Sequence, residues 1–234
     1  MASIVQGTDV LQAWCNGAQL LSQTPDHAIC NLITEVDDPI LCNPEWYRRF
    51  DPKSVGADDR LSVVAKVLFP GLPRRQGEAR PAYYDRCTTM LQRALNQKRL
   101  HSSWGSTYFQ RLVSLDGSEN QIERAIRVLT TWQVRAEASI VAHTSCPRID
   151  GLRKRGSPCL QYVEVLWGRN GVLDLVAVYR NHDFLNKALG NFLGLGRLLQ
   201  FIAAESGKTP GRLVCHSIHA YSPNIGKLRA LMAK

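Results

Sequence analysis

The residues most able to do chemistry lie in the last third of the chain. They are Cys159 after a proline, the run Arg180-Asn181-His182-Asp183, Asn191 eight positions beyond Asp183, and the alternating pair His219 and Tyr221. A cysteine thiolate is a nucleophile, and an arginine guanidinium binds oxyanions through paired hydrogen bonds. His219 and Tyr221 would share one face of a strand, because alternate strand residues point the same way. Covalent catalysis on a polar ligand is therefore one interpretation of this stretch.

Each of these residues also has an ordinary structural interpretation. A lone cysteine such as Cys159 is often a small core residue. Arg180 and Asp183 could form a surface ion pair worth under about 1 kcal/mol. Asn191 could be a helix-surface amide, and the His-x-Tyr pair could belong to an amphipathic strand. Their joint occurrence in one stretch favours a functional site, because independent structural accidents rarely assemble one.

The stretch from Ser157 to Tyr221, about 65 residues, resembles the thymidylate synthase family. The matching pattern is Pro-Cys before a strand, Arg-x-x-Asp after the next strand, Asn eight positions on in a glycine-containing helix, and His-x-Tyr at the close. The first 150 residues match weakly, although Trp104-Gly105 with Tyr108 is similar to an aromatic-glycine segment of the family. The resemblance implies an α+β fold with a mixed β-sheet packed with helices, and a homodimer formed through the sheet face.

The resemblance also implies a role for each matched residue. Cys159 would add to C6 of a uracil nucleotide, so that C5 can attack a one-carbon unit carried on 5,10-methylenetetrahydrofolate. Arg180 would bind the nucleotide phosphate and favour the thiolate, since a free thiol with a pKa of about 8.5 is mostly protonated at neutral pH. Asn181 stands where the family has a phosphate-binding serine. Asp183 matches a carboxylate of the nucleotide and folate pocket.

Asn191 bears on the identity of the base. A carboxamide accepts from uracil N3–H and donates to O4, whereas cytosine suits a carboxyl group better. A related branch that modifies cytosine nucleotides carries Asp at this place, so Asn191 favours a uracil nucleotide, dUMP or UMP, over the alternative of a cytosine nucleotide hydroxymethylase. His219 and Tyr221 match the pair that contacts the sugar hydroxyl. Ribose or deoxyribose, and a methyl or hydroxymethyl product, stay open.

Three departures from the family pattern favour a second interpretation, a weak or inactive nucleotide-binding protein. The family's subunits exchange two adjacent phosphate-binding arginines, whereas Arg135 stands alone here, with Arg153 or Arg155 as possible substitutes. The catalytic glutamate matches no clear position; Glu45 is the first candidate and Glu35 the second. The chain also ends 13 residues after the His-x-Tyr pair, where typical members continue into a folate-covering tail.

Composition sets the wider limits. The 234 residues include 29 basic and 20 acidic side chains, for a net charge of +9, and 44% are hydrophobic. These values are typical of a globular protein, and we expect one domain over residues 1–234. The seven cysteines form no CxxC pair and indicate reduced thiols without a metal site. No apolar run spans a bilayer and no secretion signal precedes the domain, which predicts a cytoplasmic protein that binds no membrane.

The positive charge suits an anionic partner, and a third interpretation is a basic nucleic-acid-binding domain. The basic residues are scattered through the sequence, with neither a long Lys/Arg run nor interleaved aromatic residues. Nucleic acid is therefore disfavoured as the main partner. A pyrimidine nucleoside monophosphate and a folate fit the same charge.

The elements that would position the candidate residues follow from hydrophobic periodicity. Helices are predicted at residues 8–21 with Thr8 as cap, 58–68, 82–98, 120–131, 185–204 and after Pro223; strands are predicted at 28–36, 138–144, 160–167, 172–179 and 212–221. A Gly171 turn joins the strand after Cys159 to the next one as a hairpin. The helix carrying Asn191 also contains Gly190, Gly194 and Gly196, each costing about 1 kcal/mol relative to alanine, so a close approach should compensate.

Overall fold

The structure is a computed structural model that describes residues 1–41, 61–132, 139–151, 156–168 and 171–233. The helices are Val10–Gln23 (α1), Leu61–Leu68 (α2), Arg80–Asn96 (α3), Tyr108–Val113 (α4), Gln121–Thr131 (α5), Pro147–Asp150 (α6), Ala188–Ser206 (α7) and Ile225–Met232 (α8). The strands are Ser3–Asp9 (β1), Ala28–Asp38 (β2), Ile140–His143 (β3), Leu160–Trp167 (β4), Val172–Tyr179 (β5), His182–Asp183 (β6) and Thr209–Tyr221 (β7). None of the helices in these ranges is long and apolar enough to cross a lipid bilayer.

The strands form one mixed sheet in the order β1-β2-β7-β5-β4-β3, with β6 pairing with the end of β7. β5 and β7 are parallel and joined by α7, whereas β4 and β5 form an antiparallel hairpin. The predicted α+β class with a mixed sheet packed by helices is therefore confirmed. Strand β1 was not predicted, because it lies at an exposed edge and only one of its residues, Gly7, is buried.

One face of the sheet carries the core and the other is open. Leu213, Cys215 and Ser217 of β7 are fully buried on the core face. Their neighbours Val214 and His216 are only half-buried on the opposite face. Helices α1 and α7 pack on the core face, because this position buries their apolar side chains against the sheet.

Helix α7 shows the close approach that its glycines predict. A Cβ at Gly190 would lie 2.6 Å from Cβ of Val64, and one at Gly194 would lie 2.8 Å from the carbonyl oxygen of Ala65. Both contacts are with α2, so the two helices pack closer than alanine would allow. This packing holds the segment of α7 that carries Asn191.

Two predicted helix starts were wrong. Helix α1 begins behind Asp9, whose carboxylate accepts from the Gln12 N–H at 2.9 Å, and Thr8 belongs to β1. Helix α7 begins at Ala188 instead of Leu185, because the Asp183 carboxylate accepts from the Leu185 N–H and holds the preceding residues in a turn. Local capping bonds, which periodicity does not reveal, set both boundaries.

Strand β2 also departs from simple alternation. Asn31 has a φ of +58°, in the left-handed region, and the buried face switches from Ile29 to Leu32 across it. Cys30 is therefore exposed, although alternation predicts it on the face of Leu32. An asparagine tolerates this conformation better than most residues.

A buried ion pair joins α4 to α6. The guanidinium of Arg111 donates to both carboxylate oxygens of Asp150, at 2.6 and 3.0 Å, and to the carbonyl oxygen of Thr144 at 2.9 Å. Both charged side chains are at least 94% buried, and the Cys146 N–H also donates to Asp150. Since the two opposite charges are buried against each other, loss of one leaves the other buried without this partner.

We expect Asp150→Asn to lower the free energy of unfolding by roughly 3 kcal/mol, because the Arg111 charge stays buried without its partner. Urea denaturation followed by circular dichroism measures this change. The matched control removes an exposed pair: Arg148→Met breaks the contact with Asp116 and should cost below about 1 kcal/mol. Equal decreases in the free energy of unfolding for the two variants would contradict the claim that the buried pair contributes more to stability than the exposed pair.

Candidate functional site

The ends of several strands meet at one edge of the sheet. β5 ends at Tyr179 and its parallel neighbour β7 ends at Tyr221, while β4 begins at Leu160, directly opposite Tyr179. The short strand β6 places Asp183 beside Tyr221. Carboxyl ends of parallel strands are the common position of ligand sites in sheets with helical crossovers. A cavity of about 290 Å³ opens at this edge.

Five of the residues predicted from the sequence line this cavity: Cys159, Asn181, Asp183, Asn191 and Tyr221. They come from five separate segments, namely the residue before β4, the turn after β5, β6, α7 and β7. The fold thus brings the candidate nucleophile, the amide and the carboxylate to one enclosed space.

Arg180 lies beside Cys159 but at the protein surface. Its backbone N–H donates to the Cys159 carbonyl at 2.9 Å. Its guanidinium donates to the carbonyls of Pro158 and Ser157, both at 3.0 Å. The side chain is exposed and is not among the described residues that line the cavity. These bonds fix the charge next to the cysteine, and among the described residues the other N–H groups of the guanidinium have no partner and could bind an anion.

Burial and charge act in opposite directions on the Cys159 thiol. Burial raises its pKa, the charge of Arg180 lowers it, and the carboxylate of Asp183 raises it, with a smaller lowering by Lys187. Burial outweighs the rest, so the pKa lies above its ordinary value. Arg180 thus acts in the predicted direction, but without a ligand it does not overcome the loss of solvent.

Tyr108 holds the backbone at the start of β4. Its hydroxyl oxygen accepts from the N–H groups of Cys159 and Leu160, at 3.1 and 3.2 Å. Burial raises the pKa of this phenol, which keeps its proton. The hydroxyl therefore retains a donor beside Cys159. The sequence marked Tyr108 only as part of an aromatic-glycine segment, without a role.

The carboxylate of Asp183 both stabilises the turn before α7 and lines the cavity. One carboxylate oxygen accepts from the N–H groups of Leu185 and Asn186, both at 3.0 Å, and the other accepts from the Asn186 amide at 2.8 Å. Burial raises its pKa, while the bonds from Asn186 lower it. The carboxyl group is thereby fixed at the cavity wall with its orientation set by the turn.

Asn191 is held by a histidine that sequence reasoning missed. Its amide nitrogen lies 3.1 Å from Nε2 of His182, and Nδ1 of His182 lies 2.8 Å from the hydroxyl of Ser217. His182 stands inside the Arg-x-x-Asp pattern, at a position to which the pattern assigns nothing. The contact depends on the pairing of β6, which contains His182, with β7, and that pairing is visible only in the structure.

His219 and Tyr221 lie on one face of β7, as their alternation predicts. Their rings stack with centroids 5.6 Å apart. Nδ1 of His219 lies 2.7 Å from the Asn181 amide oxygen. His219 is not among the described lining residues, so within the described part of the chain its visible role is to orient Asn181.

Two of the lining residues each carry a buried donor without a partner among the described residues. They are the hydroxyl of Tyr179 and the indole N–H of Trp104. Buried polar groups are nearly always hydrogen-bonded, so these two donors are exceptions beside the cavity. Trp104 also forms an apolar wall with Val67 and Leu100, which suits a flat ring.

Several predicted residues lie outside the described residues: Glu45, Arg135, Arg153 and Arg155. Glu35, the second candidate for the catalytic glutamate, lies on β2 and forms an ion pair with Arg212. It is not among the described residues that line the cavity.

Comparison with known proteins supports the family resemblance over part of the chain. No family model matches the chain. A protein of Methanococcoides burtonii named "Putative thymidylate synthase" is 33% identical over 115 residues, which are 49% of this chain and 51% of that protein. One of the same name from Methanocaldococcus jannaschii is 37% identical over 123 residues, 49% of this chain and 54% of that protein. The chain spans about half the length of the curated relatives it matches.

Among solved structures, thymidylate synthase from T4 phage aligns with a TM-score of 0.57 at 14% identity, over 94% of this chain and 80% of that one. This likeness shows a shared fold. Together with the curated relatives, it confirms the resemblance to thymidylate synthases and the fold that the resemblance implied.

The opposed effects on the thiol give a testable pH dependence. We expect the rate of Cys159 alkylation by iodoacetamide to rise with a midpoint above the pKa of a free cysteine, because burial raises the thiol pKa. Arg180→Met should move the midpoint higher, since it removes the charge that stabilises the thiolate. Mass spectrometry of the peptide containing Cys159 measures both, with exposed Cys30 as an internal reference. A midpoint below that of free cysteine in the parent protein would contradict this account.

Proposed function

We propose that this chain transfers a one-carbon unit to C5 of a uracil nucleoside monophosphate, through a covalent adduct between Cys159 and C6. One observation carries the proposal: Cys159 and Asn191 face the same cavity, with the Arg180 guanidinium bound to the carbonyls just before the cysteine. A nucleophile, an amide and a fixed cation are the groups that this reaction needs.

The thiolate of Cys159 attacks C6, and the electron pair of the C5–C6 bond moves toward O4. The Asn191 amide donates to O4 and stabilises the developing charge, as a preorganised donor in a buried site does. C5 then carries the electron density that attacks the one-carbon unit. Loss of the C5 proton and cleavage of the bond between the one-carbon unit and the folate nitrogen would follow, and expulsion of the Cys159 thiolate would then restore the C5–C6 double bond and the free enzyme. Tyr108, whose hydroxyl stays protonated beside Cys159, would donate to the sulfur or to an ordered water.

The phosphate would bind where Arg180 reaches the surface. Its guanidinium has N–H groups without a partner among the described residues, and Asn181 is held nearby by His219. Tyr221, stacked on His219, would contact the sugar. Arg135 from a second subunit would complete the phosphate site.

The cavity wall fits a folate. The apolar surface of Trp104, Val67 and Leu100 suits a flat heteroaromatic ring, and the buried indole N–H of Trp104 has no partner among the described residues. 5,10-Methylenetetrahydrofolate supplies a one-carbon unit at the oxidation level of formaldehyde. Glu45 is our candidate for the glutamate that orients water near the base. A hydride from the folate would give a methyl product and leave dihydrofolate, whereas capture by water would give a hydroxymethyl product and leave tetrahydrofolate.

A specific observation favours a second candidate function. The pKa of the Cys159 thiol is raised, so the nucleophile is mostly protonated at neutral pH without ligand. A protein that binds pyrimidine nucleotides in this cavity with little or no turnover would have this property. The two candidates differ in whether a covalent adduct forms.

We also propose a homodimer through the open face of the sheet. Val176 and Val214 are paired across β5 and β7 on that face, and both are only half-buried. Ile218, on the same strand, is 41% exposed. Covering an apolar sheet face is a common reason for self-association.

Incubation with 5-fluoro-dUMP and methylenetetrahydrofolate should add the mass of both ligands to the parent protein, because fluorine at C5 prevents the proton loss that releases the enzyme. Intact-protein mass spectrometry measures the adduct. Cys159→Ser should form none and should lose more than about 10³-fold in turnover. Cys30→Ser, at an exposed thiol away from the cavity, is the matched control and should form the full adduct.

Two other outcomes of this experiment would count against the enzyme. A nucleotide-dependent rise in melting temperature without an adduct would support the binding protein. Absence of any effect of nucleotide and folate on the melting temperature would remove both candidates.

For the dimer, Val176→Glu should convert the protein to a monomer, because it would bury paired carboxylates at the interface. Sedimentation velocity over a concentration series measures the change. Ala82→Glu, on exposed surface of α3, is the control and should leave the dimer intact. A parent protein that sediments as a monomer throughout the series would overturn this proposal.

A further inference from the structure

The imidazole of His182 is enclosed at the centre of the site. It is 1% exposed, and its ring stacks on Tyr179 with centroids 4.1 Å apart and an interplanar angle of 2°. Phe184 and Phe192 pack against it edge-on. Its two nitrogens face Ser217 and the Asn191 amide nitrogen, at 2.8 and 3.1 Å. Among the described residues, no charged group bonds to this ring.

These contacts define where the imidazole proton lies. Burial lowers the pKa of His182 to about 3, so the ring is neutral and carries one N–H. The amide nitrogen of Asn191 can only donate, so Nε2 of His182 must accept. The proton therefore lies on Nδ1 and is donated to the hydroxyl oxygen of Ser217.

We propose that His182 is a positioning residue that fixes the orientation of the Asn191 amide and thereby selects uracil over cytosine. This inference rests on the proposed function, since it concerns how the same cavity distinguishes its bases. His182 would touch no substrate atom itself. It would act by fixing where the amide oxygen and the amide nitrogen of Asn191 lie relative to the base.

The selection follows from the two N–H groups of a carboxamide. In this proposal the N–H on the Cβ side of Asn191 donates to Nε2 of His182, from which the amide nitrogen lies 3.1 Å away. The other N–H lies beside the amide oxygen, so a donor and an acceptor form one edge. Uracil presents O4 as acceptor beside N3–H as donor and complements this edge. Cytosine presents N3 as acceptor beside an amino donor, the reverse order.

Rotation of the amide by 180° would invert the edge and suit cytosine. In that orientation the amide oxygen would face Nε2 of His182, where two acceptors would repel each other. The unprotonated Nε2 thus penalises the inverted edge for as long as the imidazole keeps its proton on Nδ1. Such use of an unsatisfied buried group against the wrong ligand is a strong source of specificity.

The test compares binding of uracil and cytosine nucleoside monophosphates to the full-length protein by titration calorimetry. His182→Phe keeps the stacked ring and removes both nitrogens. We expect its preference for UMP over CMP, or dUMP over dCMP, to fall roughly tenfold, the effect of one buried hydrogen bond. Ser217→Ala removes the acceptor for Nδ1–H and should reduce the preference as well. The matched controls are His143→Phe on β3 and Ser206→Ala on α7, whose preferences should equal that of the parent.

A second measurement needs no ligand. Nitrogen-15 chemical shifts of His182 in the free protein should show a protonated Nδ1 and an unprotonated Nε2. The opposite tautomer would overturn the proposal, even where His182→Phe does not fold. A parent that prefers uracil while folded His182→Phe and Ser217→Ala keep that preference would also overturn it and leave the proposed function standing. A parent that binds neither nucleotide would remove the proposed function itself.

Discussion

The backbone hydrogen bond from Arg180 to Cys159 is the constraint on which the site depends. This bond of 2.9 Å lies at the end of the β4–β5 hairpin far from its turn, next to the pair of Leu160 and Tyr179, and continues the register of the two strands to the cysteine. A slip by one residue would turn every side chain of β4 to the opposite face and move the thiol out of the cavity. The register shifts between Leu160 and Tyr162, an irregularity of the kind that often re-aims side chains beside functional sites. The parallel pairing of β5 with β7 then adds the third strand end to the same edge.

Burial has three consequences in this cavity, and they have a single cause. It raises the pKa of the Cys159 thiol, keeps the Tyr108 hydroxyl protonated, and lowers the pKa of His182. In each case the charged form loses contact with water and becomes less stable. The environment therefore favours neutral donors and acceptors over charged ones. Neutral donors and acceptors are well suited to hydrogen-bond the edge of a pyrimidine. A thiolate, by contrast, needs a positive charge nearby, and the guanidinium of Arg180 supplies one beside Cys159.

Much of the architecture was predictable because local patterns agreed with the fold. β4 and β5 have the predicted bounds, since alternating apolar residues flank a turn with a left-handed glycine, Gly171. The glycines of α7 predicted a close helix contact without naming the partner, which is α2. Cys30 was misplaced because Asn31 reverses the alternation of β2, and β1 was missed because an exposed edge strand buries too little to leave a pattern. These errors have one physical origin: the hydrophobic pattern of a sequence does not show left-handed residues or exposed edge strands.

The amino-acid sequence was enough to identify the residues that could do chemistry and the order in which they follow one another. Cys159, Asp183, Asn191 and Tyr221 were predicted together, and the fold gives them one cavity. The electrostatic balance at the Cys159 thiol and the contacts of His182 became visible only in the folded chain. Both depend on desolvation and on neighbours far away in the chain, such as Ser217. A pKa and a tautomer are set by the three-dimensional surroundings of a group, and no spacing along the chain specifies those surroundings.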